Sequence, residues 1–349
     1  MTISCDCIEK QNSIMLPIEI PLSSTYMVPA SEFALLQTTR TGINYIYNRY
    51  IQMYLFGDIL NQKTFDVGLS ILTDPFDENP CFLTTKIESK HDFLLIGQKD
   101  SIIDCLRRGV YFYSYRYLDE YYISEAKYYK NCCMLHMFII YGYNMKERAF
   151  YTLGYNRRGV FSKIRISFEE YDQSITNLDK SEHRYVMLIS NNPNHYEKDC
   201  DIENIKFWMD QYIKSKNSRI IQRGVNNEIA ITDNLIFGYR IYDYLLAYLS
   251  YFVNNEAQID NFDFRFSRQL LEHKIIMLER LKELYKNKFI GKITLNQYKS
   301  IVDNAQVLHN LNTKLLFTHE SSVFKSIYER VLVIGSREKD VLENVLSFL

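Results

Sequence analysis

The chain has 349 residues and a formal net charge of −1, from 41 basic and 42 acidic side chains. Hydrophobic residues make up 47% of it and charged residues 24%, which is typical of a globular protein long enough for two domains. This balance of charge leaves no basic excess with which to follow a phosphate backbone, so nucleic acid is not an expected partner.

The start of the chain and its cysteines predict a cytoplasmic protein. The opening stretch MTISCDCIEK lacks a basic region followed by an apolar one, and no run approaches the roughly 20 apolar residues of a membrane helix. The seven cysteines are odd in number and scattered, which argues against a disulfide framework and for a reducing compartment. Cys5 and Cys7 form C-x-C without a second half at zinc-site spacing, so no metal is expected.

The first hundred residues predict an extended lead-in followed by helices. Three prolines within residues 15–29 favour an extended chain. Ser31 is the expected N-cap of the first helix, and a helical pattern continues over residues 43–60. The sequence LTDPFDENPCF, at 72–82, predicts a loop.

An aromatic-rich block then predicts an antiparallel sheet. A helix at 100–108 ends on Gly109, as a helix C-terminus commonly does. Polar reversals such as NMKER and NRRG indicate hairpin connections between strands. The expected strands cover residues 110–118, 135–143, 149–155, 160–168 and 184–190.

The chain beyond about residue 200 has a helical pattern. Helices are expected near 202–215, 235–253, 268–288, 295–318 and 320–347. Strands before helices predict an α+β fold, with a first domain at 1–195 and an all-helical domain at 196–349. Charged residues such as Glu272 and Lys274 are expected to form a salt-bridge network in the helix bundle.

His136 opens the expected strand LHMFIIYGYN and permits two interpretations. It is either a structural histidine satisfied by one hydrogen bond, or an acid–base group. An early helix, a late sheet and a strand that runs from His136 to Gly142 and Tyr143 together resemble the papain-like cysteine peptidase and transferase fold. That resemblance implies a nucleophilic Cys at the first helix, His136 as general base, and an acid or amide that orients the imidazole.

Four short stretches carry a closer resemblance: YIQMYL (50–55), LDEYYI (118–123), LHMFIIYGYN (135–144) and EHKIIMLERL (272–281). They are similar to butirosin-type acyltransferases and papain-like amide synthases of specialised-metabolite (nonribosomal peptide) gene clusters. The resemblance implies an enzyme of antibiotic biosynthesis that moves an acyl group from a carrier-protein thioester to an amine. Its implied partners are an acyl or peptidyl carrier protein, which carries phosphopantetheine, and a small amine. No bound cofactor is implied, and the many tyrosines are compatible with a homodimer.

The chain departs from that family pattern at two positions. The nucleophile is expected within residues 28–31, but no Cys lies there, so the candidate thiol is Cys7. The orienting acid is expected near residues 153–154 and is absent, which leaves Asn156 as the candidate amide. These departures keep open an alternative: a catalytically degenerate papain-like protein that acts as a binding or scaffold partner in the same pathway. A peptidase is the third interpretation.

Two further groups of residues are expected near the site. Asp119 and Glu120 follow the aromatic strand, either as a pair that holds an amine or as a solvated turn. Tyrosines are expected to form the wall that holds the acyl group: Tyr111, Tyr113, Tyr121 and Tyr141.

Overall fold

The computed structural model describes residues 12–56, 68–88, 96–176, 185–218, 235–255 and 262–349. These residues form a mixed α+β protein, as the sequence predicts. The chain divides into two compact units: Met1–Gly42 with Pro75–Tyr196, and Ile43–Asp74 with Glu197–Leu349. The later division falls one residue from the predicted boundary, whereas Ile43–Asp74, expected in the first domain, belongs to the second unit.

The helices and strands are numbered here in chain order. The strands are β1 (Ser13–Met15), β2 (Met53–Phe56), β3 (Gly68–Ile71), β4 (Phe82–Ile87), β5 (Tyr111–Asp119), β6 (Leu135–Asn144), β7 (Ala149–Tyr155), β8 (Phe161–Ser167), β9 (Tyr185–Asn191) and β10 (Ile236–Phe237). The α-helices are α1 (Met27–Leu36), α2 (Arg40–Arg49), α3 (Lys99–Arg107), α4 (Phe168–Thr176), α5 (Ile202–Ile213), α6 (Ile241–Asn254), α7 (Arg265–Lys286), α8 (Lys292–Thr318) and α9 (Val323–Phe348).

The first unit is built on one antiparallel sheet in the spatial order β4-β9-β5-β6-β7-β8, with β1 paired to one end of β6. The hairpins β6–β7 and β7–β8 follow the predicted polar reversals. Apolar side chains of these strands are buried, including Phe112, Phe138 and Phe150, and Ile102 and Leu106 of α3 pack into the same cluster. This apolar cluster fixes the register of the sheet, because a one-residue slip would turn the apolar side chains away from it.

The second unit contains five helices after residue 200 among its described residues, α5 to α9. It is not purely helical, which corrects the prediction of an all-helical domain. A three-stranded antiparallel sheet, β10-β2-β3, lies in the same unit. In the part of the chain that the structure describes, no helix combines the length and apolar character needed to cross a membrane.

Three predicted helix boundaries are wrong, and one of them is the start of the helix expected near 235–253, where β10 precedes α6 (Ile241–Asn254). Helix α1 begins at Met27, and Ser31 lies inside it with its hydroxyl donating to the Met27 carbonyl at 2.8 Å. Helix α2 ends at Arg49 instead of continuing to residue 60. The buried guanidinium of Arg280 donates hydrogen bonds to the Ile46 and Tyr50 carbonyls at 3.1 and 2.9 Å, and so bonds backbone carbonyls at the end of this helix.

The interior of the second unit holds a polar cluster. The Lys274 ammonium donates to both carboxylate oxygens of Glu338, at 2.7 Å each, and neither side chain is exposed. The same carboxylate accepts hydrogen bonds from the hydroxyls of Tyr212, Tyr242 and Tyr298 at 2.9, 2.7 and 2.6 Å. Lys274 thus forms a salt bridge within the helical unit, as predicted, and this salt bridge lies in the core.

His273 extends the polar cluster toward β2. Its Nε2 lies 2.8 Å from the carbonyl oxygen of Ile51, and its Nδ1 lies 2.9 Å from the Lys274 ammonium. A carbonyl only accepts and an ammonium only donates, so His273 is neutral with its proton on Nε2. Burial and the adjacent Lys274 hold the pKa of His273 well below 6.5.

Candidate functional site

The candidate site forms where β5 ends beside the start of β6. His136 pairs with Leu118, and Asp119 pairs with Leu135. The pairing shifts between Ser114 and Leu118, where four steps along β5 correspond to two steps along β6. This irregularity sets which residue after β5 faces the His136 ring, and that residue is Glu120.

Asp119 holds the turn that presents Glu120. One carboxylate oxygen of Asp119 accepts the backbone N–H groups of Tyr121 and Met134, both at 3.0 Å. These bonds close a single 3-10 turn over Glu120–Tyr122 and tie it to the residue just before β6. Asp119 and Glu120 are 5% and 0% exposed, so neither belongs to a solvated turn.

His136 and Glu120 form a hydrogen-bonded pair. The Nδ1 atom of His136 lies 2.5 Å from Oε1 of Glu120, and the other oxygen of this carboxylate accepts the Tyr128 backbone N–H at 3.3 Å. The His136 side chain keeps 23% of its surface exposed. A carboxylate that accepts the Nδ1 proton sets the tautomer in which Nε2 carries the lone pair.

Two tyrosine rings flank the His136 imidazole edge-on. The ring centroids of Tyr128 and Tyr155 lie 5.7 and 6.5 Å from that of His136. The Tyr155 hydroxyl contacts the carbonyl oxygens of Ser24 and Thr25 at 2.8 and 2.7 Å, two residues just before α1. Through Tyr155 the lead-in to α1 therefore lies close to His136.

Among the described residues, the start of α1 carries no cysteine. Val28 is exposed, Pro29 is buried, and the Ser31 hydroxyl is bonded to its own helix. The candidate nucleophile Cys7 lies outside the described residues, as does Cys5. The role assigned to Cys7 therefore stays a prediction.

Asn156 does not contact His136 through the hydrogen bond expected of an orienting amide. Its side-chain oxygen accepts the backbone N–H groups of Arg158 and Val160, at 3.0 and 3.1 Å, and so holds the turn before β8. Glu120 occupies the position on Nδ1 that was assigned to Asn156. The sequence predicts that Glu120 holds an amine or lies in a solvated turn. Its position at the end of the strand that pairs with β6 was the signal that could have placed it beside His136.

The predicted tyrosine wall is mostly interior. Tyr111, Tyr113 and Tyr141 are buried, and the Tyr111 hydroxyl donates to the Pro17 carbonyl at 2.5 Å. Burial raises the pKa of Tyr111 and Tyr141 to about 12. Tyr121 is 37% exposed and is the member of this set that lies at the surface. Contact of these four tyrosines with an acyl group remains a prediction.

The other described cysteines differ in accessibility. Cys132 and Cys133 are exposed just before β6, and Cys81 is buried. Burial raises the pKa of the half-buried Cys105, and raises that of Cys200 to about 11. Within residues 12–349, leaving out the gaps in the description, no group of three or more His, Cys, Asp or Glu side chains is arranged to hold a metal ion.

Comparison with known proteins gives no match, either to a family model or to a curated protein. The resemblance to papain-like transferases therefore depends on the short stretches quoted above.

Proposed function

We propose that the protein is an acyltransferase or amide synthase of secondary-metabolite biosynthesis, with His136 as general base and Glu120 as the residue that orients it. The observation that carries the proposal is the 2.5 Å contact between His136 Nδ1 and the fully buried carboxylate of Glu120. A histidine that only filled space would not need a buried acid, because burying a carboxylate costs free energy unless its partners compensate.

The proposed reaction has two steps. The Cys7 thiolate attacks the thioester carbonyl of an acyl group on a carrier protein, and the carrier's phosphopantetheine thiol leaves with a proton from His136. An amine then attacks the Cys7 thioester, His136 takes the amine proton, and Cys7 leaves as the thiolate, which restores the starting thiolate–imidazolium pair. The partners in this scheme are an acyl or peptidyl carrier protein and a small amine.

A specific observation favours the second candidate function. No thiol lies at the described start of α1, within the stretch 27–31. In this alternative the protein is a catalytically degenerate relative that keeps its binding surface and acts as a binding or scaffold partner in the same pathway.

Alkylation of the cysteines separates the two functions. The full chain carrying Cys132→Ser and Cys133→Ser, which removes the exposed thiols of the described residues, is pulsed with iodoacetamide at neutral pH and digested for mass spectrometry. The proposal expects Cys7 to react at least about tenfold faster than Cys105 and Cys200, because an imidazole lowers the pKa of a neighbouring thiol. His136→Ala and Glu120→Gln should both remove this advantage, whereas His319→Ala, at an exposed histidine on α8's C-terminal side, should not.

One result of this experiment would overturn the proposed enzymatic function. If Cys7 alkylates at the same rate with and without His136, no thiolate–imidazole pair exists. The binding alternative is then the one to pursue.

A further inference from the structure

We propose that the surface beside His136 carries a binding subsite for a phosphomonoester dianion, formed by Lys127, Lys130 and Arg157. The inference goes beyond acyl transfer, because it concerns binding alone and holds whether or not the chain is an enzyme. All three side chains are exposed and so are accessible to a ligand.

The rings of two consecutive tyrosines, Tyr128 and Tyr129, contact the three cations. The Lys127 ammonium lies 5.0 Å from the centre of the Tyr128 ring, which is the ring that contacts His136. The Lys130 ammonium and the Arg157 guanidinium lie 5.2 and 5.3 Å from the centre of the Tyr129 ring. Cation–π contacts of this kind hold charged side chains in position without neutralising them.

The backbone fixes the two loops that carry these cations. Lys127 N–H donates to the Tyr155 carbonyl at 2.9 Å, and Ala126 forms an isolated antiparallel bridge with Asn156. The loop after the 3-10 turn and the turn between β7 and β8 therefore lie side by side. Lys130 and Arg157 come from different loops yet lie against one ring.

The nearby carboxylates form ion pairs or hydrogen bonds with other groups. Glu125 pairs with Arg165 at 3.7 Å and accepts the backbone N–H of the same residue at 2.8 Å. Asp119 accepts two backbone N–H groups, and Glu120 bonds His136. Throughout the described ranges, no carboxylate forms an ion pair with any of the three cations. Like charges gathered without a counter-ion repel one another, and a bound anion would remove that repulsion.

The charge of the cluster selects the class of anion. A phosphomonoester carries a charge of about −1.5 to −2 at pH 7 and offers three acceptor oxygens. It matches three cations better than a carboxylate, which carries a single charge. The guanidinium fork of Arg157 is suited to two of these oxygens, while the lysine ammonium groups act as point charges.

Isothermal titration calorimetry of the full chain with phenyl phosphate tests the subsite, at a salt concentration of about 50 mM to limit screening. The wild type should bind, and Lys130→Asn with Arg157→Gln should weaken binding at least about tenfold. Asn suits position 130 because its backbone is left-handed, with φ of 53°. The matched control, Lys299→Gln with Lys325→Gln, removes two exposed lysines of the second unit and should bind as the wild type does.

Benzoate keeps the aromatic ring but has one negative charge, and it should bind more weakly than phenyl phosphate. The proposal is overturned if the wild type does not bind phenyl phosphate, if both double variants lose affinity equally, or if benzoate binds as tightly. Each double variant should unfold at the wild-type temperature, since the substituted side chains are exposed, and this excludes loss of fold as the cause.

Discussion

Lys274 and Glu338 are 64 residues apart in the sequence and form an ion pair with no exposed surface on either side chain. The partners are not equivalent. Glu338 also accepts hydrogen bonds from the hydroxyls of Tyr212, Tyr242 and Tyr298. The other contacts of Lys274 are His273 Nδ1 at 2.9 Å and the Tyr212 hydroxyl at 3.3 Å. The carboxylate is therefore the centre of the cluster.

This asymmetry predicts unequal costs for removing each partner. Glu338→Leu leaves a buried ammonium and three hydroxyls without their acceptor, and should lower the free energy of unfolding by about 3–5 kcal/mol. Lys274→Met leaves the carboxylate with its three hydroxyl donors and should cost less. The measurement is urea unfolding followed by tryptophan fluorescence, because the chain's one tryptophan, Trp208, is buried in the second unit.

The double variant Lys274→Met with Glu338→Leu provides the control for this comparison. Its loss in free energy of unfolding should be smaller than the sum of the losses in the two single variants, because it removes both charges together. Additive losses would mean that the two side chains do not interact.

His273 predicts a loss of stability in mild acid. Its pKa is depressed in the folded protein by burial and by Lys274, while the unfolded chain takes up a proton near the ordinary value of 6.5. Below that pH the unfolded state binds more protons, so stability falls as pH decreases, by about 1.4 kcal/mol per pH unit for one group. Urea unfolding at several pH values between 7 and 5 measures this slope.

The substitution His273→Gln should remove the contribution of one titrating proton, about 1.4 kcal/mol per pH unit, from that slope. Gln can donate to the Ile51 carbonyl without titrating. His309→Gln is the matched control. The pKa of His309 is also lowered by burial, but this histidine is half-buried, so the change in slope should be smaller. Equal slopes in wild type and His273→Gln would contradict the assignment.

Gly142 lies where β1 pairs closely with β6. It pairs with Met15, and a Cβ atom there would lie 2.6 Å from the Ile14 carbonyl oxygen and would also meet the Met15 sulfur. Gly142→Ala should displace β1 and cost about 1–3 kcal/mol. Hydrogen exchange followed by mass spectrometry should show lost protection over residues 12–16. Gly291→Ala, where no atom lies within 4 Å of the added carbon, should leave that protection unchanged.

The described thiols should differ in reactivity toward an aromatic disulfide reagent at pH 8. Cys132 and Cys133 are exposed and should react quickly. Cys105 and Cys200 should react slowly, because burial raises the pKa of both and reduces the thiolate fraction. Peptide mass spectrometry after timed quenching gives the order, and the urea-unfolded chain, in which these thiols should react alike, is the reference.

Much of the secondary structure was predictable from local pattern. The strands observed as β6, β7, β8 and β9 lie within one or two residues of their predicted bounds, because alternation of apolar side chains and short polar reversals are encoded in neighbouring residues. The amphipathic helix expected at 268–288 is α7, Arg265–Lys286. The failures fall where distant groups decide, as at α2, whose end is bonded by Arg280 from more than two hundred residues away.

The sequence by itself determined that this is an α+β protein whose described strands precede most of its helices, and it marked His136 as a residue to explain. Only the tertiary structure decided that Glu120 is the acid on His136 and that Asn156 holds a turn instead. It also decided that Lys274 and Glu338 share a buried site. Periodicity is a property of neighbouring residues, whereas the choice of partner depends on strand register and on how distant segments pack, which no local pattern records.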